Sequence, residues 1–155
     1  MSQEQVDAVG AFARERGWTV AAAESLTSGR LMSALGAGQS ASQWLAGGVV
    51  AYREPVKFDL LGVTPGPVIT ARCARELAEG VGRLLDARIA VGITGCGGPD
   101  PEEDQPPGTV YVAVRVDGEL TETHRVLEPD EPTEVLEQAT ELAVGLLAEA
   151  VAAHG

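Results

Sequence analysis

Lysine is almost absent from this chain: Lys57 stands alone beside ten arginines. Aromatic residues amount to only 4%, so any core must be built from Val, Leu, Ile and Ala. The two cysteines, Cys73 and Cys96, make no CxxC pair, and with His124 and His154 they form no metal-ligand spacing. Metal catalysis is therefore not expected. No stretch approaches the roughly 20 apolar residues of a membrane span. The opening MSQEQVDAVG lacks the basic and apolar regions of a signal peptide, and the expectation is a cytoplasmic protein without a membrane partner. Positive charge is also scarce. The net charge of -12 argues against nucleic acid, whose phosphates would be repelled rather than steered in.

What is present fits one domain. A chain of 155 residues, 45% apolar and 22% charged, is long enough to bury a sizeable core. Val6, Val9, Phe12 and Ala13 share one face at helical spacing, which predicts a helix over 3–16 closed by Gly17. WTVAAA (18–23) reads as a strand, Thr27 to Leu35 as a helix, WLAGGVVAY (44–52) as a buried strand and 56–62 as a short helix. A long helix is predicted from Ala71 to Leu85, with Cys73, Leu77, Val81, Leu84 and Leu85 as its apolar stripe. Strand 87–94, a Gly- and Pro-rich loop at 95–108, strands 109–116 and 120–127 around Asp117-Gly118, and a helix from Thr133 to Ala153 complete the order. Alternating helices and strands imply a layered α/β domain, and the hairpin makes the sheet mixed.

Sites in such sheets gather where strands end and helices begin, and three strand ends carry unusual residues. The first is AESLTSG, from Ala23 to Gly29. Its hydroxyls suit helix N-capping, and the same geometry offers backbone N–H groups to an oxyanion or phosphate. The second contains Tyr52 and Lys57. A genome that favours Arg codons accounts for one stray lysine, but arginine cannot be deprotonated whereas a desolvated lysine can act as general base. The third is GITGCGGPDPEEDQPPGTV, where Gly95, Gly97 and Gly98 let backbone approach a ligand. It is neither a P-loop nor a dinucleotide fingerprint, and a loop that merely crosses between strands would read the same way.

Taken in order, AES-x-T-x-G, Y-x-x-x-x-K and GITG-x-x-GP followed by PxGTV resemble the CinA C-terminal domain family, whose best-known members are nicotinamide mononucleotide deamidases. The resemblance covers roughly Gly10 to Leu147. It implies a three-layer α/β/α sandwich, commonly a homodimer, that hydrolyses the carboxamide of nicotinamide mononucleotide or a related amide without metal or cofactor. By position it assigns Ser42 as nucleophile, with Ser25 as competitor, and Lys57 as base. It implies that Ser25 and Tyr52 orient the lysine. Glu24, Thr27, Thr94, Gly95, Gly97 and Gly98 are the substrate-binding candidates, with the oxyanion or phosphate held near Gly95 to Gly98 or at the Ser25 helix start. Departures from the family pattern are Leu26 and Ser28 in the first motif, Ser40-Ala41-Ser42 for a Gly-Ser-Ser run, Arg53-Glu54 after the tyrosine, and Gly97 for alanine. Asp130-Glu131-Pro132 stands where the family has G-D-R, an arginine suited to phosphate.

Overall fold

The computed structural model describes residues 3–128 and 134–155. In chain order the elements are α1 (Gln3–Arg16), β1 (Val20–Glu24), α2 (Arg30–Gly36), a 3-10 turn (Ala41–Gln43), β2 (Leu45–Val50) and a π-helical turn (Val56–Leu60). There follow α3 (Ala71–Leu84), β3 (Ile89–Gly95), β4 (Thr109–Val116), β5 (Glu119–Val126) and α4 (Glu134–His154). The expected start of the last helix, Thr133, lies outside the described residues.

The five strands form one mixed sheet in the order β2-β1-β3-β4-β5. β2, β1 and β3 run parallel, and β4 and β5 are antiparallel additions. Strand side chains alternate between faces, and the two hydrophobic clusters record it. Val20, Ala22, Val91 and Ile93 pack with α1, α2 and α4, whereas Ala21, Ala23 and Ala90 pack with α3 and the Leu61–Val63 segment. The result is the expected three-layer sandwich. The β4–β5 turn uses Asp117 and Gly118, both at positive φ (47° and 89°), which matches the twist of a two-residue hairpin.

Close packing around α3 fixes the layer that carries Lys57. A Cβ on Gly80 would collide with the backbone carbonyl of Leu61, and one on Gly92 with the carbonyl of Ala74. Helix, strand and the segment after the π-helical turn therefore approach more closely than any side chain permits.

One boundary differs in a telling way. The helix expected from Thr27 begins instead at Arg30, after Ser28 and Gly29 at positive φ (52° and 105°). Neither a Ser nor a Thr caps it. The buried Glu24 carboxylate at the end of β1 does, accepting from the backbone N–H groups of Gly29 (3.1 Å), Leu31 (2.9 Å) and Met32 (2.9 Å).

Candidate active site

β1 is followed in the sheet by β2 on one side and β3 on the other, so strand order reverses between β1 and β3. Beyond the carboxyl ends of such strands a crevice forms. Here it is a cleft of about 380 Å³, within the usual size range of small-molecule sites. Ser25, Leu26 and Ser28 line it from the end of β1, and Tyr52, Glu54 and Lys57 from the end of β2. Thr94, Gly95, Gly97 and Gly98 close it from β3 and the following loop, joined by Val68, Ile69, Glu102 and Leu136.

Lys57 is 2% exposed. Its Nζ donates to the Tyr52 carbonyl at 3.3 Å. Burial lowers its pKa below that of a free lysine, because the ammonium loses its hydration; negative charge on Cys73, when it is ionised, and on Glu54, Glu103 and Glu102 opposes the shift. Cys73, on α3, has its own thiol pushed up to about 11, chiefly by burial. It is therefore a protonated neighbour of the lysine at neutral pH. Ser25 is also nearly buried, at 8% exposed, and faces the same cleft. No direct hydrogen bond joins Ser25 to Lys57 among the described residues.

The other predicted site residues divide. Thr94 is buried and donates its hydroxyl hydrogen to the Val68 carbonyl at 2.8 Å, which fixes it in the cleft wall. Tyr52 holds Lys57 through its backbone carbonyl, and its ring, 66% exposed, stands at the mouth. The phenol is not what orients the lysine. Glu24 and Thr27 are fully buried and do not line the cleft. The Thr27 hydroxyl donates to Glu24 Oε1 at 2.6 Å, and with the backbone donors at the α2 start it uses up the carboxylate. These two residues build the turn that presents Ser25, and they are not in a position to bind substrate. For the same reason the α2 N-terminus cannot hold a substrate oxyanion or phosphate: its donors already hold Glu24.

Ser42 requires a second correction. It lies exposed on the 3-10 turn that precedes β2, and it does not line the cleft. Tyr52 and Lys57 follow β2, so the strand separates them from Ser42 by its length, about 20 Å for six residues at ~3.3 Å each. Within one protomer Ser42 cannot attack a substrate held by Lys57.

The acidic residues of the cleft were not among the sequence candidates. Glu102 and Glu103 sit in the run DPEED, which reads as solvated loop charge. In the structure that loop is tied down. Glu103 accepts from the backbone N–H groups of Val68 and Ile69, both at 2.8 Å, and Gln105 donates to the Ile69 carbonyl. Cys96 N–H bonds to the Thr109 carbonyl at 2.9 Å and Gly108 N–H to the Cys96 carbonyl at 2.8 Å. A loop that merely crossed between strands would show no such anchoring. Among the described residues no three His, Cys, Asp or Glu side chains gather as a metal-ion site, and no helix is long and apolar enough to cross a membrane.

A sequence model of the CinA C-terminal domain matches residues 2–151. A competence-damage inducible protein of Geobacillus kaustophilus (strain HTA426) is 47% identical over 120 residues, covering 74% of this chain and 29% of the relative. One from Bacillus subtilis (strain 168) is 38% identical over 118 residues, covering 72% of this chain and 28% of the relative. The chain thus spans less than a third of the length of these relatives. Among solved structures, a competence-damaged protein (CinA) superfamily protein from Klebsiella pneumoniae 700603 superposes with a TM-score of 0.89 at 30% identity, over 97% of each chain. One from Escherichia coli gives 0.88 at 28% identity, over 94% of this chain and 87% of the other. The chain belongs to the CinA C-terminal domain family.

Proposed function

We propose that this CinA-family domain hydrolyses a primary carboxamide, nicotinamide mononucleotide or a related amide, by a metal-free Ser/Lys mechanism with Ser25 as nucleophile. The observation that carries the reading is a lysine 2% exposed, with lowered proton affinity, lining the same cleft as a nearly buried serine. Neutral Lys57 takes the Ser25 hydroxyl proton as Oγ attacks the carboxamide carbon. The tetrahedral oxyanion forms against the Gly97-Gly98 turn, whose backbone lines the cleft, with Gly98 at φ 83°. Collapse breaks the C–N bond. Lysine returns the proton to the leaving nitrogen, which departs as ammonia. Water then attacks the acyl-serine with Lys57 again as base, releasing the carboxylic acid and restoring Ser25. A homodimer in the cytoplasm belongs to the same reading.

The test is ammonia release from nicotinamide mononucleotide and a panel of primary carboxamides. Ser25→Ala and Lys57→Met should each abolish turnover, and Ser42→Ala should retain it. Loss in Ser42→Ala with Ser25→Ala unaffected would move the nucleophile to the other end of β2 and require a site shared between protomers. No ammonia from any amide, with the fold intact, would favour a non-catalytic ligand-binding domain. The replacement of the family arginine by the Asp130-Glu131-Pro132 stretch is the feature that favours this second reading.

A further inference from the structure

We propose that Glu103 is a positioning residue for Lys57, because its carboxylate clamps one wall of the cleft to the 102–105 turn. The effect on turnover rests on the amidase reading; the effect on the lysine does not. The wall is the segment that leads into α3. Val68 and Ile69 line the cleft, and the run TPGPV that ends in Val68 is too rich in Pro and Gly for regular structure. All four backbone polar groups of the pair are held from elsewhere in the chain. Val68 and Ile69 donate their N–H groups to the two oxygens of Glu103, both at 2.8 Å. The Thr94 hydroxyl donates to the Val68 carbonyl, and the Gln105 amide to the Ile69 carbonyl. The wall runs on into Thr70, whose hydroxyl caps α3 by accepting from the Cys73 N–H at 2.9 Å. Val68 and Cys73 share an apolar cluster with Val56 and Phe58, the chain neighbours of Lys57.

The turn that delivers Glu103 is strained. Glu102 and Gln105 exchange backbone hydrogen bonds (3.2 and 2.8 Å) around Glu103 and Asp104, both at positive φ (51° and 61°). Such a two-residue turn favours Asn or Gly at both central positions. Residues in this region persist where the surrounding structure over-determines them, and the two charge-assisted bonds of the Glu103 carboxylate do so here. Two influences on Lys57 then oppose each other. The charge of Glu103 favours the ammonium, while the wall it holds keeps water away. Burial is the largest influence on the lysine, and the charge of Glu103 ranks below those of Cys73, when ionised, and Glu54, with Glu102 last. Loss of Glu103 therefore raises the proton affinity of Lys57 by admitting water more than it lowers it by removing a charge.

Lys57 is the single lysine of the chain, so lysine labelled with carbon-13 at Cε gives one side-chain resonance whose titration is followed directly by NMR. Glu103→Ala should move its midpoint up toward 10.5 and speed hydrogen exchange of the Val68 and Ile69 amides at least about tenfold. Glu103→Gln keeps one acceptor oxygen, so it should speed exchange at one of the two amides, and it serves if the alanine variant does not fold. Asp104→Asn removes the adjacent charge, keeps a residue suited to the left-handed region, and should change neither readout. On an amide substrate, Glu103→Ala should lower kcat/KM about tenfold and carry the rising limb of the rate profile to higher pH with the NMR midpoint. A lower or unchanged Lys57 midpoint in Glu103→Ala, unchanged exchange in Glu103→Gln, or the same response in Asp104→Asn would overturn the clamp while leaving the amidase standing. If no amide is turned over, the amidase reading falls, and a raised midpoint with freed amides still sustains the clamp.

Discussion

Replacing Glu24 tests whether the end of β1 is a structural cap or part of the substrate site. Its carboxylate is fully buried and receives one hydroxyl and three backbone N–H groups at 2.6–3.1 Å. Glu24→Ala takes the acceptor from all four donors at once. Each buried donor left unpaired costs ~1–3 kcal/mol, and loss of a helix N-cap costs ~1 kcal/mol. Water entering the vacated space recovers part of this, so a net loss of about 3–5 kcal/mol is expected, a large share of a typical ~5–15 kcal/mol stability. Glu24→Gln keeps one oxygen as acceptor but turns an amide N–H toward a backbone N–H, and gives up the favourable charge at the α2 start. Its expected cost is about 2 kcal/mol. Urea unfolding followed by circular dichroism reads both as lower midpoints at unchanged slope. Ammonia release per folded molecule should fall by no more than a few-fold in Glu24→Gln. If that variant unfolds at the original urea concentration yet loses over about 100-fold in turnover, the carboxylate acts on substrate and the capping argument fails.

Gly80→Ala forces a Cβ into the Leu61 carbonyl, and overpacking of this kind costs ~1–3 kcal/mol; a melting temperature within a degree of the original would contradict it. Cys73, with its thiol at about 11 against 9.0, should carry ~100-fold less thiolate than an unperturbed cysteine at pH 8, so mass spectrometry should find it unalkylated by iodoacetamide in the native protein and modified after unfolding. The rate profile should rise through the Lys57 titration at a pH below the 10.5 of a free lysine, since burial lowers its pKa; a rise centred at or above 10.5 would remove it as base. Stability carries the same sign. Between the two pKa values the unfolded chain binds the lysine proton that the native one gives up, so Lys57 costs stability at low pH and the cost fades as pH rises toward 10.5. Lys57→Met should therefore stabilise the protein more at pH 6 than at pH 10, as measured by urea midpoints.

The layers of the fold were legible because short apolar runs of strands buried on both faces, and helical stripes, survive in the sequence: VAAAE, IAVGITG and TVYVAVRV occupy the three central strands. Lys57 was legible too, since a lone lysine among arginines asks for a function arginine cannot perform. Two things could not be read. A stretch of Ser and Thr looks like a cap, and nothing local tells that Glu24, five residues before Gly29, will turn back to take the helix donors. That choice depends on Ser28 and Gly29 at positive φ, a property of the folded turn. Ser42 lies away from the cleft of its own protomer for a topological reason. Ten residues from Tyr52 in sequence is close, but a strand lies between, so proximity along the chain became distance along the sheet.

The Glu24 misreading has a wider cause and a consequence for the cleft. At the carboxyl ends of parallel strands, backbone donors and chain carboxylates compete with the ligand for the same partners. Here Glu24 and Glu103 occupy the converging N–H groups, so those groups order the cleft walls rather than bind a substrate anion. The serine and lysine positioned by those walls then stand in a cleft whose exposed charge is mainly carboxylate. A family motif read as a phosphate cradle and a reactive hydroxyl thus resolves into separate parts: Glu24 and Thr27 set the turn, and Ser25, on that turn, faces the buried lysine's cleft.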